Sequence, residues 1–369
     1  MKKKLLILTN SYGGLYSFRR EVVEALLSRD YYVGIAAPVG DNEAICNEFV
    51  KLGCQVSDLF FQRKSQNPFK ALLLIIRYVK ILRKYRPDVV LSYTIMPNLY
   101  GGIACQLCNV PQIANITGLG PAVENSGWLQ RVTIVLYRLG MRRTNMVFFQ
   151  NKANMDFCLR HKMVKRKNQL IPGSGVNLNY HAFQDYPSKE EPLRFIFISR
   201  LLKEKGVDEY LAAAYELKHK YPQIEFHILG NCEDNYSERI KQLQEEGIII
   251  FHGRQSDVRP YLGQSCCTVH PSYYPEGMSN VLLESCAAGR PIITTDRPGC
   301  GEIVDDGING FLVKQQNPND LIKKIEMFIC LPYEKRREMG LAARRKVEHE
   351  FDRNIVINAY LEAISVLEE

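Results

Sequence analysis

The stretch Cys266–Asp296 reads CCTVHPSYYPEGMSNVLLESCAAGRPIITTD and predicts a strand, a helix and a second strand in succession. The run CCTVHPS is strand-like, the helix is expected to begin near Ser279 and to stop at Gly289, and PIITTD starts a new strand. A strand, a crossover helix and a further strand form the βαβ unit of a parallel sheet.

The same alternation of strand-like and helix-like segments runs through the whole chain. In the first half, KKLLILTN, YVGIAAP and DVVLSYT are strand-like, and residues 15–30 and 67–87 have helical periodicity. The second half starts again with the strand-like runs LRFIFISR and IEFHILG. We therefore predict an α/β protein with two Rossmann-like, doubly wound parallel-sheet domains that face each other across a cleft. Ligands are then expected at the C-terminal ends of the strands.

The length of the chain predicts two domains. A chain of 369 residues matches two α/β domains of about 180 residues each. The polar, proline-bearing segment HAFQDYPSKEEPL, residues 181–193, is the best candidate for a linker. We expect a first domain over residues 1–180, a second over residues 194–350, and a C-terminal helix, residues 351–369, that packs back on the first domain.

The two halves of the chain differ in charge. Residues 1–180 carry 25 Lys or Arg and 10 Asp or Glu, a net charge of +15, whereas residues 181–369 carry 23 and 30, a net charge of −7. A basic first half suggests an anionic partner. A nucleic-acid-binding protein is one alternative, but the chain lacks an interleaved aromatic and basic motif or a recognisable module, which argues against it.

Eleven scattered cysteines favour reduced thiols and hence a cytoplasmic protein. Cys105 and Cys108 form a CxxC pair, but no second Cys or His pair follows at zinc spacing, so buried thiols are favoured over a metal site. The apolar run at the N-terminus stops at Leu8, which is too short for a signal peptide. The aliphatic run Leu72–Ile76 is too short to span a bilayer, so we expect no transmembrane segment.

Two cations follow the strand-like run FIFIS in the second half. Arg200 stands at the C-terminal end of this run, and Lys205 precedes Gly206 and a helix. Two permanent positive charges beside a helix N-terminus fit a diphosphate. The alternative is that RLLKEK is only a solvated turn.

Two carboxylates follow the strand-like run CCTVHPS. Glu276 lies in a Pro/Gly loop, and Glu284 lies about a turn and a half into the next helix. An ionised carboxylate only accepts hydrogen bonds, so a vicinal diol of a ribose or a sugar is a natural partner. Free backbone N–H groups at the helix start, those of Met278, Ser279 and Asn280, are expected to point toward the same ligand. The alternative for Glu284 is an internal salt bridge.

These motifs follow one another in an order that resembles a known family. Most of residues 195–315 resemble the retaining family 4 glycosyltransferases of GT-B fold. The resemblance lies in the segments SRLLKEKG, ILG, FHGRQSDV, VHPSYYPEGMSNVLLESCAAGRPIITTD and GEIVDDGINGFLV, in that order. In the first half, SYGGLYSFRREVVEAL, NPFKALL, NITGLG, VFFQN and GSGVNLNYHAF are similar to bacterial transferases that extend lipid-linked sugars for capsule, O-antigen or N-linked glycan. The resemblance implies transfer of a hexose or N-acetylhexosamine from a nucleotide sugar, with UDP the usual carrier, to an undecaprenyl-diphosphate-linked saccharide.

By this resemblance, Arg200, Lys205 and Glu276 would be the catalytic residues. The two cations would grip the donor diphosphate, and the carboxylate would bind a hydroxyl of the transferred sugar. Glu284 would bind the nucleotide ribose. The other substrate-binding positions would be Gly13 and Gly14 in a loop close to the phosphate, Arg254 at the base, Glu302 on the far side of the donor pocket, Gly277, Met278, Ser279 and Asn280 at the helix start, and Thr117 and Gly118 in NITGLG.

The chain departs from the family in places. No histidine precedes His161, whereas many relatives place one in the first domain near the reacting sugar. Asn231 and Gly301 stand where relatives often carry other residues. No Asp-x-Asp occurs in the sequence, so we expect no metal dependence and no other cofactor. The cations Arg200 and Lys205 would instead stabilise the charge that grows on the leaving diphosphate. The anomeric configuration of the donor would be retained through a front-face displacement.

Two helix-like segments of the first half, residues 69–84 and 128–143, combine apolar and basic residues. The basic residues, which accompany Trp128, are Lys70, Arg77, Lys80, Arg83, Lys84, Arg131, Arg138, Arg142 and Arg143. Such helices fit an anionic membrane surface or an acceptor lipid diphosphate. We therefore expect an acceptor-binding first domain on the inner face of the plasma membrane and a nucleotide-sugar-binding second domain. The alternative is that the apolar faces are buried on the sheet and the cations are merely solvated.

A nucleotide-sugar 2-epimerase or a soluble-acceptor sugar synthase of the same fold is a further enzymatic alternative. Neither activity gives a reason for a basic first half. A transferase that acts on a lipid-linked acceptor therefore fits the sequence better.

Overall fold

The computed structural model describes residues 2–40, 42–59, 68–120, 123–124 and 126–367. The chain forms two compact units. The first contains the described residues up to Ser174 together with those from Asn354 onward, and the second runs from Gly175 to Arg353. Each unit is an α/β fold around one parallel sheet, which confirms the predicted fold class.

A parallel sheet supports the first unit. Its strands are β1 (Lys4–Leu8), β2 (Tyr32–Ala37), β3 (Gln55–Asp58), β4 (Val89–Tyr93), β5 (Gln112–Ile116), β6 (Met146–Phe149) and β7 (Lys167–Leu170). Its helices are α1 (Tyr12–Ser28), α2 (Glu43–Lys51), α3 (Pro68–Tyr85), α4 (Gly102–Cys108), α5 (Trp128–Gly140) and α6 (Lys152–Arg160). The seven strands found in the described residues pair in the order β3-β2-β1-β4-β5-β6-β7, so the strand order reverses between β1 and β4.

Helices cover both faces of this sheet because its central strands are apolar on both sides. Every residue of β4 and β5 is buried. One face packs against α1, α2 and the last helix of the chain, with Phe49 and Tyr360 in the shared core. The other face packs against α3, α4 and α5, with Tyr78 and Tyr137 in its cores.

The second unit has the same kind of architecture. Its strands are β8 (Arg194–Ile198), β9 (Glu225–Leu229), β10 (Ile250–Phe251), β11 (Cys267–His270), β12 (Ile292–Thr295) and β13 (Gly310–Val313). Its helices are α7 (Val207–Lys220), α8 (Asp234–Glu245), α9 (Arg259–Gln264), α10 (Asn280–Ala287), α11 (Pro318–Cys330) and α12 (Tyr333–Glu350), and α13 (Arg353–Ser365) closes the described chain. The strand order in the described residues, β10-β9-β8-β11-β12-β13, reverses between β8 and β11.

The chain passes between the units at residues other than those expected. Residues 181–193, interpreted as a linker because of their polarity, lie in the second unit. The buried guanidinium of Arg290 gives the reason, because it donates hydrogen bonds to the carbonyl oxygens of Gln184 (2.9 Å) and Asp185 (2.8 Å). The same group also bonds to two carbonyl oxygens of α9. These contacts attach the polar segment to the body of the unit.

The long helices and central strands agree with the sequence prediction, and several short elements were missed. Among the missed elements are α2, β3, α6 and β7. The strands β3 and β7 lie at the two edges of the first sheet and contain few buried residues. An exposed edge strand lacks the apolar run by which the buried strands were recognised.

Candidate active site

The C-terminal edge of the second sheet gathers charged residues that the sequence singled out. Strands β8 and β11 are neighbours, and the chain continues from β8 to β9 on one side and from β11 to β12 on the other. Such a switch point opens a crevice at the carboxyl ends of the strands. Arg200 and Lys205 follow β8, and Glu276 follows β11, so the sheet brings all three to one edge.

Gly206 determines where the loop with Lys205 lies. A 3-10 turn, Lys203–Lys205, ends at Gly206, which has a φ of +79°. A Cβ atom at this position would lie 2.3 Å from the carbonyl oxygen of Pro271, just beyond β11. Only glycine permits both the conformation and the close approach. The turn with Lys205 is thereby held against the segment that leads to Glu276.

Lys205 and Glu276 form an ion pair with each other. Both side chains are largely buried, and Lys205 Nζ also lies 4.7 Å from the centre of the Tyr274 ring. The Nε2 atom of His270, the last residue of β11, is 3.9 Å from Glu276 Oε1. Burial raises the pKa of Glu276, but His270 and Lys205 outweigh it and lower the pKa to about 2. Glu276 is therefore a carboxylate at neutral pH.

Glu284 lies on α10 in a different environment. Burial raises the pKa of Glu284 to about 7, and Arg353 acts in the opposite direction. Its Oε1 atom is 3.9 Å from Nε2 of His181. The two glutamates of the motif therefore differ, since a cation holds Glu276 ionised whereas Glu284 changes charge near neutral pH. Such perturbed carboxyl groups cluster at functional sites.

The start of α10 differs from the prediction in one respect. The N–H group of Ser279 is not available to a ligand, because it donates to the carbonyl oxygen of Gly299 at 2.7 Å. The side chain of Met278 is buried in the core beside Leu282. Asn280 Oδ1 is buried and has no hydrogen-bond partner in the described part of the chain. The Gly299 turn that occupies the helix start is distant in sequence, so local capping rules did not reveal it.

The same turn connects Glu302 to the loop of Glu276. The N–H group of Gly299 donates to Glu302 Oε2 at 2.7 Å. A Cβ atom on Gly299 would lie 2.8 Å from the carbonyl oxygen of Gly277. Glu302 itself lies in a 3-10 turn that follows β12, Gly301–Ile303. Its carboxylate is thus engaged by the main chain next to the site.

Arg200 and Arg254 line one cavity. The cavity has a volume of about 180 Å³ and lies at the ends of β8 and β9, and its lining includes Asn231. Both arginine side chains are exposed. Gly230 allows the strands to come together here, since a Cβ atom on it would lie 1.7 Å from the carbonyl oxygen of Ser199. Two guanidinium groups from distant segments therefore share an opening beside the switch point.

Gly13 and Gly14 lie at the C-terminal edge of the first sheet, in the first turn of α1. The sequence placed them in a loop, and this was wrong. The hydroxyl of Ser11 accepts a hydrogen bond from the N–H group of Gly14 at 3.2 Å, so the helix begins at Tyr12. A Ser side chain overcame the low helix propensity of two glycines because it caps the first turn.

Thr117 and Gly118 follow β5 at the same edge, and Gly118 has a φ of +137°. Thr94 follows the neighbouring strand β4 with a φ of +71°, which a β-branched residue rarely adopts. Its Oγ1 atom is buried without a hydrogen-bond partner among the described residues. Residues 94–98 and 117–120 include no charged residue. This edge therefore offers hydroxyl and amide groups, whereas the edge of the second sheet offers charges.

Sequence reasoning missed His270, His181, Arg353 and Thr94. His270 stands inside the quoted motif, but a histidine in a strand gives no sign of which carboxylate it faces. His181 and Arg353 approach Glu284 from segments far away in the sequence. The strain at Thr94 comes from its positive φ, and the residue type alone does not predict that angle.

Two family models match the chain. One, described as glycosyl transferases group 1, matches residues 181–346, and the other, described as glycosyl transferase 4-like, matches residues 4–151. Together with the two parallel-sheet units, these matches show that the chain belongs to the GT-B glycosyltransferases, and the second description fits family 4. The resemblance drawn from the sequence motifs is thereby confirmed.

Individual relatives extend this comparison. The N,N'-diacetylbacillosaminyl-diphospho-undecaprenol alpha-1,3-N-acetylgalactosaminyltransferase of Campylobacter jejuni is 27% identical in an alignment of 372 positions that covers 96% of each chain. A solved glycosyltransferase from Rickettsia africae has a TM-score of 0.81 at 21% identity and covers 100% of this chain and 99% of its own. HepE from Anabaena, solved with UDP, has a TM-score of 0.79 at 19% identity, with coverage of 99% and 100%. At these identities the two structures support the fold.

Proposed function

We propose that the protein is a retaining glycosyltransferase that moves a hexose or N-acetylhexosamine from a UDP-sugar to an undecaprenyl-diphosphate-linked saccharide. Its product would belong to a bacterial surface polysaccharide or glycan. One observation carries the proposal: the switch point of the second sheet brings Arg200, Lys205 and Glu276 to one edge. Cations there suit a diphosphate, and a carboxylate that is held ionised suits a sugar hydroxyl.

The donor is held by residues of the second unit in this proposal. Arg200 and Lys205 receive the diphosphate and stabilise the negative charge that grows on it as the bond to the sugar breaks. Glu276 accepts a hydrogen bond from the sugar, Glu284 accepts hydrogen bonds from the ribose, and Arg254 contacts the base. The other proposed contacts of the donor in the second unit are made by Gly277, Met278, Asn280 and Glu302. Gly13, Gly14, Thr117 and Gly118 are proposed as substrate contacts of the first unit. UDP is the proposed carrier because HepE, which has the same fold, was solved with UDP.

A lipid-linked acceptor is proposed on two grounds. The first is the activity of the Campylobacter relative, whose acceptor is a diphospho-undecaprenol saccharide. The second is the outer side of α3 and α5. Both helices contact the segment that includes the π-helical turn Pro97–Gly101 and α4, so they belong to one layer on the first sheet.

This layer has an apolar stripe in the core and another on its surface. The buried residues are Leu74, Tyr78 and Leu82 on α3 and Ile134 and Tyr137 on α5. The exposed apolar residues, here named the membrane-facing surface, are Phe69, Leu72, Leu73 and Ile76 on α3 and Trp128, Leu129, Val132, Val135 and Leu139 on α5. Phe69 is 80% exposed and Trp128 is 72% exposed. Packing on the sheet therefore does not account for all apolar residues of these helices.

The membrane-facing surface also carries positive charge. Lys70, Lys80 and Arg83 are exposed on α3, and Arg131 and Arg138 are exposed on α5. Each basic residue near an anionic membrane contributes about 1 kcal/mol, and exposed aromatic and aliphatic residues insert at the interface. No helix in the described ranges is long and apolar enough to cross a membrane. We propose peripheral attachment to the inner face of the plasma membrane.

Vesicle flotation tests this attachment. The wild-type protein should float with vesicles that contain anionic phospholipid and much less with neutral vesicles. The double variant Phe69→Ser/Trp128→Ser should lose flotation. Ile308→Ser, which changes a residue of the second unit that is 60% exposed, is the matched control and should behave as wild type. Equal flotation with anionic and neutral vesicles would rule out the proposed electrostatic attachment.

Transfer assays test the activity. A thermal-shift and hydrolysis screen of nucleotide sugars identifies the donor, and synthetic polyprenyl-diphosphate saccharides serve as acceptors. Lys205→Met should lower the transfer rate about 10²–10³-fold, the loss typical of one preorganised charge-stabilising group. Lys203→Met, an exposed lysine on the same turn, should keep the rate of the wild type. Equal rates for the two variants would falsify the proposed donor site.

Two further measurements address the finer parts of the proposal. Excess EDTA should leave the transfer rate unchanged, because Arg200 and Lys205 are proposed to neutralise the diphosphate. Loss of activity would show that a metal ion neutralises the diphosphate instead. NMR of the product should show the anomeric configuration of the donor. An inverted product, or a sugar trapped covalently on a side chain, would exclude front-face displacement.

A further inference from the structure

Lys205 and Glu276 each have a proposed partner on the donor, yet here they are bound to each other. The following inference therefore rests on the proposed function. When the donor diphosphate draws Lys205 away, the ion pair opens. Opening removes a cation from a carboxylate whose side chain is only 14% exposed. A buried carboxylate favours a replacement positive charge, because burial disfavours an uncompensated charge.

His270 is positioned to supply that charge. Its side chain is 2% exposed, and its Nε2 atom is 3.9 Å from Glu276 Oε1. Neither ring nitrogen has a hydrogen-bond partner among the described residues. Buried polar groups are nearly always paired, so this ring is exceptional. The present distance is too long for a hydrogen bond, and a shift of about 1 Å would make one.

We propose that His270 becomes protonated when the donor draws Lys205 away, and that its imidazolium then replaces Lys205 as the partner of Glu276. His270 is then a positioning residue, which holds the carboxylate in place while the carboxylate accepts a hydrogen bond from the transferred sugar. The proton comes from solvent. Donor binding is thereby coupled to proton uptake by the protein.

The charges that face His270 explain the change of state. Burial lowers the pKa of His270, Glu276 opposes this effect, and Lys205 adds to it. The ring of Phe197 on β8, whose centre lies 6.2 Å from that of the His270 ring, carries no charge. Once a diphosphate neutralises the charge of Lys205, Lys205 no longer lowers the pKa of His270. The negative charge of Glu276 still raises it. The pKa of the imidazole therefore rises when the donor binds.

Calorimetry of the full chain measures the coupling directly. UDP-N-acetylgalactosamine, or another UDP-sugar if the donor screen selects it, is titrated at a pH of about 7.5 in two buffers of different ionisation enthalpy. The dependence of the observed enthalpy on the buffer gives the number of protons taken up. The diphosphate diester of the probe does not titrate near neutral pH, so the protons belong to the protein. We expect the wild type to take up about half a proton to one proton more than His270→Gln.

Three comparisons make this difference specific. Glu284 is expected to release protons when the ribose binds, and this contribution cancels because the wild type and His270→Gln both contain Glu284. His219→Gln, which changes an exposed histidine of α7, is the matched control and should keep the proton count of the wild type. Glu276→Gln should lose the uptake as well, since His270 then has no carboxylate to pair with. Thermal unfolding shows that each variant is folded.

Two outcomes would overturn the inference and leave the proposal of the donor site unaffected. One is equal proton uptake by the wild type and the folded His270→Gln variant. The other is uptake that persists in Glu276→Gln. If no UDP-sugar of the screen binds to the wild type, the proposed function itself fails, and the inference fails with it.

Discussion

The side chain of Asn115 donates a hydrogen bond of 2.6 Å to the hydroxyl of Tyr360, 245 positions later in the chain. Asn115 lies on β5 and Tyr360 on α13, and the Tyr360 ring packs edge-on against Phe148 of β6, with 4.8 Å between the ring centres. Gln150 donates to Asn115 Oδ1 at 3.2 Å. The last helix, α13, is thereby part of the core of the first unit and is bound to β5, the strand that leads to Thr117.

Tyr360→Phe should destabilise the first unit by about 1–3 kcal/mol, because it leaves a buried N–H group of Asn115 without its acceptor. Denaturant unfolding followed by circular dichroism measures this loss. Tyr32→Phe, which changes a tyrosine of the same unit that is 56% exposed, is the control and should unfold as wild type. The prediction is contradicted if the two variants are equally stable.

Arg290→Lys should destabilise the second unit by about 3 kcal/mol or more. The guanidinium of Arg290 is fully buried and donates to five main-chain carbonyl oxygens. A lysine cannot reproduce the planar fork, so several buried acceptors lose their donors. Limited proteolysis should then cleave within residues 181–193. Arg239→Lys, at an exposed position of α8, should leave both stability and proteolysis unchanged; resistance of the Arg290→Lys variant at 181–193 would argue against this role.

The pKa of Glu284 predicts how the stability of the second unit depends on pH. In the folded protein the pKa is raised from its ordinary 4.5 to about 7. Below pH 4.5 the carboxyl is protonated in both states and has no effect. Between pH 4.5 and 7 the unfolded state loses a proton that the folded state keeps, so the free energy of unfolding falls as pH rises, and above 7 the effect is constant.

Glu284→Gln should remove this pH dependence. The difference between wild type and variant should grow across that range to on the order of 3 kcal/mol. Denaturant unfolding at several pH values measures it, and Glu238→Gln, at an exposed position of α8, should follow the wild-type curve. Parallel curves for wild type and Glu284→Gln would show that the carboxyl is not perturbed.

Thr94→Gly should stabilise the first unit by about 0.5–1 kcal/mol. Glycine adopts a positive φ without the steric cost that a β-branched residue has there, and this gain exceeds the entropy that glycine adds to the unfolded state. The same substitution at Thr133, inside α5, should destabilise by about 0.3–0.5 kcal/mol, since glycine is a still poorer helix former than threonine. Thermal unfolding compares the two. A loss of stability at both positions would show that Thr94 is not strained.

The sequence predicted those parts of the fold that depend on neighbouring residues. The strands β8, β9, β11 and β12 were recognised by short apolar runs, and α1 and α3 by helical periodicity. The edge that gathers Arg200, Lys205 and Glu276 was predictable as well, because the carboxyl ends of parallel strands meet at the same edge of a sheet. Edge strands such as β3 and the helix start at Gly13 were not, since exposed strands lack an apolar run and a Ser cap can outweigh glycine.

By itself, therefore, the sequence determined the class of fold, the family, and which charged residues reach the edge of the second sheet. Periodicity, turn residues and charge are properties of short segments, so they can be read in order along the chain. Only the tertiary structure decided that Lys205 binds Glu276, that His270 faces the same carboxylate, and that Arg290 holds residues 184–185. Such pairs join segments that are distant in sequence, and atomic packing sets the distances between them.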